Sequence, residues 1–83
     1  MQGEYIIMTI ITYRDLIDRT YDDVKDFCSY SYQEVETFVH DTLQLVCKMH
    51  EMAYISDKWN YNEEIPYDIA QIVNDTVVTI LRH

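Results

Sequence analysis

Glu36, His40 and Cys47 fall near one line of a helical projection, with His50 one turn beyond Cys47. Carboxylate, imidazole and thiol are the ligands of a zinc centre, or the parts of a thiol nucleophile and its base. The spacing suits neither. A closed zinc site takes four ligands, and the chain has no Cys-x-x-Cys and no His-x-x-x-His. His40 and Cys47 would stand roughly 10.5 Å apart along a helix, at about 1.5 Å per residue, too far to pair. Cys47 and His50 can approach, but nothing near them supplies an oxyanion hole. The single glycine, Gly3, excludes glycine-rich phosphate loops and the calcium loop with its central Gly. The sequence therefore predicts no catalytic residues, no metal and no cofactor.

Carboxylates are the more telling groups. Fifteen acidic residues against six basic ones leave a net charge of −9 in 83 residues. That balance argues against direct binding to nucleic acid or to an anionic membrane, both of which demand neutralised phosphates. Asp15, Asp18, Asp22 and Asp26 fall within roughly 80° of helical arc, spaced about 4.5–6 Å along the axis, with Asp23 beside them. Charge held in a line on a rigid rod imitates a nucleic-acid backbone and fits a basic groove; the plain alternative is a solvated face. Eight tyrosines are the second anomaly. Tyr30, Tyr32 and Tyr61 belong to segments expected at the surface, and Trp59 joins Tyr61 in a stretch closed by Glu63 and Glu64. Aromatic anchors ringed by acid suit a basic protein surface. The alternative for Trp59 is a plug at the end of the bundle. The candidate partner-binding residues are thus Asp15, Asp18, Asp22, Asp23, Asp26, Trp59, Tyr61, Glu63 and Glu64.

Three helical patterns must position them. Thr12 with Asp15 is an N-cap signal, and Tyr13, Leu16, Ile17, Thr20, Val24, Phe27 and Cys28 recur at helical spacing. Ser31 with Glu34 makes a capping box for a second helix. There Val35, Phe38, Val39, Thr42, Leu45, Val46, Met49 and Ala53, widened by Leu43 and Met52, predict an apolar arc covered on two sides. Residues 56–64 read as a loop. Pro66 fits the first turn of a third helix, where Glu63, Glu64 and Asp68 would complement the dipole. Its stripe is Ile69, Ile72, Val73, Thr76, Val77, Ile80 and Leu81. The expected fold is all-α, a small three-helix bundle with helices at about 13–28, 32–55 and 66–82, in a single domain over 1–83. Residues 1–11 stay open between a strand, an extra turn and a disordered leader.

No signal peptide or membrane span is legible, and two cysteines, Cys28 and Cys47, read as reduced thiols of a cytoplasmic protein. Gln2-Gly3-Glu4 can be encoded by CAA GGA GAA, which contains a bacterial ribosome-binding sequence ahead of Met8. On that reading translation starts at Met8, the source is A/T-rich and bacterial or phage, and the protein acts inside a host bacterial cell. The leading expectation is a small acidic binding protein that inhibits a basic partner, a nucleic-acid-binding defence enzyme, in the manner of an anti-restriction or anti-CRISPR protein. The alternatives are an immunity- or antitoxin-like neutraliser, and a homo-oligomer formed through the second helix and Val78.

Overall fold

The computed structural model describes residues 9–50 and 60–82. Three helices and a two-stranded ribbon follow in the order β1 (Ile10–Thr12), α1 (Tyr13–Val24), α2 (Tyr32–Met49), β2 (Glu64–Pro66) and α3 (Tyr67–Arg82). Each cap read from the sequence is present. The Thr12 side chain accepts from the Asp15 N–H, and Ser31 and Glu34 complete a reciprocal capping box at the start of α2. α1 and α3 run parallel: Arg19, midway along α1, reaches Tyr67 at the start of α3, Thr20 bonds Asn74 near the middle of α3, and Phe27 beyond α1 meets Arg82 at the end of α3. α2 runs antiparallel to both, and Tyr32 at its start reaches Asp18.

The apolar stripes meet at one core. Tyr13, Leu16, Ile17 and Val24 pack with Val35, Val39, Leu43, Val46 and Cys47, and with Ile69, Ala70, Val73 and Val77. Ile11 and Ile65 add the inner face of the ribbon and close the end of the bundle. One polar pair lies inside: the Thr20 hydroxyl donates to Asn74 Oδ1 at 2.6 Å, both residues being buried.

Several boundaries differ from the sequence reading. α1 stops at Val24 rather than 28, and residues 25–27 form a turn in which the Phe27 and Cys28 N–H groups both donate to the Val24 carbonyl. α2 ends at Met49, and the rest of the expected 32–55 helix lies outside the described residues. Of the three options for the N-terminal stretch, a strand is found, covering Ile10–Thr12. Its partner, Glu64–Pro66, was expected as loop and helix start. Pro66 therefore ends a strand and does not open α3. The bonds Tyr13 N–H to Glu63 C=O and Tyr67 N–H to Thr9 C=O fix the phase of the ladder. They leave Pro66, opposite Ile10, at a non-hydrogen-bonded position, where its missing N–H costs the sheet nothing. The stripes are also imperfectly covered. Phe27, Leu45, Met49, Ile72 and Ile80 were expected in the apolar faces but are exposed. α2 lies against α1 and α3, yet one flank of its wide arc meets solvent. Val78 packs partly buried against the core and is no outlying contact.

Candidate acidic interface

α1 presents Asp15, Asp18, Asp22 and Asp23 to solvent, and Asp26 continues the line on the turn that follows. All five are exposed. The helix dipole favours Asp15 in the first turn but opposes Asp22, Asp23 and Asp26, because the C-terminal end of a helix is negative and favours cations. No basic residue occupies the last turn of α1, where Asp22 and Asp23 sit. Lys25, the C-cap, offsets one of them through a 3.3 Å pair with Asp22.

Two carboxylates are held by neutral donors. The Tyr32 hydroxyl donates to Asp18 Oδ1 at 2.6 Å, and the Tyr61 hydroxyl donates to both oxygens of Glu36 at 3.1 and 3.2 Å. Burial and then the Asp18 hydrogen bond push the Tyr32 phenol well above its ordinary range. The Glu36 hydrogen bond and charge raise Tyr61, with Arg14 acting in the opposite sense. The donors therefore remain neutral at physiological pH, and each carboxylate is oriented by a neutral hydroxyl rather than by a cation. Asp23 is fixed likewise, accepting from the Asn74 side-chain amide at 3.1 Å. Asn74 thereby links the buried Thr20 to the acidic surface.

The arginines, two of them on α1 itself, are engaged by aromatic rings. Arg14 lies over the Tyr61 ring at 5.3 Å, Arg19 over Tyr67 at 5.2 Å and Arg82 over Phe27 at 5.1 Å. Arg19 also donates to the Tyr67 hydroxyl at 2.8 Å. Among the described residues, the Lys25–Asp22 contact is the sole ion pair that joins a Lys or Arg to a carboxylate. Stacking on aromatic faces satisfies the guanidinium groups and leaves the acid unneutralised.

The remaining candidates divide. Tyr61 is 42% exposed, but its ring stacks on Tyr13 at 6.1 Å and its carbonyl accepts from the Arg14 N–H, so much of its surface is spent inside the fold. Glu63 caps the ribbon through its carbonyl. Glu64 lies in β2 and, with Asp15 and Arg19, lines an open cleft of about 350 Å³ floored by Ile10 and Ile11. Neither glutamate sits in α3, so neither takes the dipole role expected of it; Asp68 does, accepting from the Ile69 N–H. Trp59 lies outside the described residues. Tyr30 meets Phe38 edge-on, and Tyr32 is half-buried against Tyr21. Glu36 was not read as part of this surface; no spacing within α2 announces a partner on Tyr61.

Among the described residues no three His, Cys, Asp or Glu side chains form a group that could hold a metal. Cys47 is buried, and burial pushes its thiol up, as suits a small apolar side chain. No helix among the described residues is long and apolar enough to cross a membrane. The chain matches no family model, no curated protein and no solved structure.

Proposed function

We propose that this protein is a small acidic helical binding protein that inhibits a basic partner, one that normally grips DNA or RNA, in a phage-type anti-restriction or anti-CRISPR role. The observation that supports it is how the cations are used: every arginine lies on an aromatic ring and none is ion-paired to a carboxylate among the described residues, while five exposed aspartates line α1 and its end. Ordinary solvated faces gain from pairing the two signs, and on α1 only Lys25 with Asp22 forms such a pair among the described residues. Here the carboxylates are oriented by neutral hydroxyl and amide groups, an arrangement suited to meeting lysines and arginines from outside. The neutraliser alternative leans on aromatic anchors, and Tyr61 is already engaged by Tyr13, Arg14 and Glu36.

Affinity capture from a bacterial lysate, with stepped salt washes and a challenge by duplex DNA, tests this reading. The expected product is a nucleic-acid-handling enzyme released by moderate salt and by duplex, because the contact is screened within about 8 Å at physiological ionic strength. Reversal of Asp18, Asp22 and Asp26 to Lys should abolish capture while helicity persists. Capture of the same enzyme by the triple variant would remove the stripe from the mechanism.

A further inference from the structure

Leu45 and Met49 are 58% and 72% exposed, although both belong to the apolar arc of α2. At about 100° per residue they lie on one side of the buried line Val35, Val39, Leu43 and Val46, away from Glu36 and hence away from α1. Ile72 of α3, also exposed, lies correspondingly on the side of its helix away from α1. The apolar surface and the aspartates of α1 thus occupy different sides of the molecule. Single exposed apolar residues are common; adjacent ones on a helix flank invite a partner.

The charges beside Leu45 indicate which partner. Asp41 and Lys48 stand seven residues apart on the outward side of α2, with Leu45 between them. Lys48 has no ion-pair partner among the described residues, and Asp41 is met by the neighbouring His40 ring at 3.2 Å. Between Asp41 and Lys48 the strip carries one acid and one base, and Glu34, a heptad earlier, is held in the capping box by the Ser31 N–H, so this stretch offers little to the basic partner proposed for α1. It is, however, complementary to itself. We infer that a second copy of this chain docks here, α2 against α2 and antiparallel, about a twofold axis near Leu45. Asp41 of each copy then faces Lys48 of the other, while Leu45 and Met49 are covered. At −9 per chain, self-association needs a contact remote from the acidic face, and this flank provides one.

Sedimentation equilibrium on the full chain tests the inference, with circular dichroism as the check on folding. The wild type should show a species of twice 10.0 kDa at micromolar concentration. Asp41→Lys and Lys48→Asp, each creating two like-charge contacts, should weaken the dimer by about tenfold. The double variant D41K/K48D should restore it, and L45D should be monomeric with unchanged helicity. A single 10.0-kDa species at high concentration overturns the inference. So does a dimer whose affinity ignores both single reversals.

Discussion

Asp26 is the residue whose replacement should most clearly expose the cost of the acidic line. It follows the C-cap Lys25, at the end of α1 where the peptide dipoles sum to about half a negative charge. A carboxylate there costs ~0.3–1 kcal/mol. Asp22, four residues earlier, adds a like-charge contact of ~0.2–0.5 kcal/mol. Lysine reverses the sign of both terms, so Asp26→Lys should stabilise the fold by roughly 1 kcal/mol, taking the lower part of each range because the site is exposed. For a domain of this length that corresponds to a rise of about 4–8 °C in Tm. Thermal unfolding followed by circular dichroism at low salt measures it. Repeating the scan near 1 M salt, where the screening length falls to about 3 Å, should erase most of the gain. The same variant should bind the captured partner less well, so stability and binding should move in opposite directions. An unchanged or lower Tm would refute the reasoning, as would a gain that survives high salt, since then no electrostatic cost is being carried for a partner.

Two further outcomes follow from the interior and from the phenols. Asn74→Ala leaves the Thr20 hydroxyl without its acceptor, frees Asp23 and opens a cavity between α1 and α3; it should cost about 2–4 kcal/mol in denaturant unfolding. Tyr13, Tyr32 and Tyr61 all have phenols raised above their ordinary 10.0, so their neutral forms favour the fold. The stability they contribute is fully present below pH 10 and is lost as pH rises through their folded values; near-ultraviolet titration should find Tyr13 and Tyr32 still un-ionised at about pH 11 while the chain stays folded.

Local signals were legible where local physics decides. Thr12 with Asp15 and Ser31 with Glu34 are cap chemistry contained within four residues, and most buried positions of the three helices follow from period, with Cys47, Ala70 and Asn74 outside the predicted stripes. What escaped is non-local. β1 and β2 hold three residues each, too few to display a period of two, and their pairing joins Ile11 to Ile65 across the whole of α1 and α2. Likewise, periodicity marks Leu45 and Met49 as apolar but cannot tell which flank of α2 the other helices cover. The acidic line needed only the sequence. The aromatic rings that hold Arg14, Arg19 and Arg82 are about 47–55 residues from them along the chain, so the reason the line stays unneutralised emerges only in three dimensions.

The ribbon has a consequence for how the acidic helix comes into being. α1 has twelve residues, a length at which an isolated helix is marginal in water, and its dipole is opposed at its own C-terminal end. Its first residue is anchored by Tyr13 N–H to Glu63 C=O, a contact from the far half of the chain. Closing so long a loop has its entropic cost before any helix contact rewards it, so formation of α1 waits on the arrival of residues 63–67. During synthesis the aspartates therefore leave the ribosome unorganised and become a line only when residues 63–67 are available. A peptide copied from residues 12–26 should carry the charge without the geometry, and a truncated product should be inert rather than weakly active.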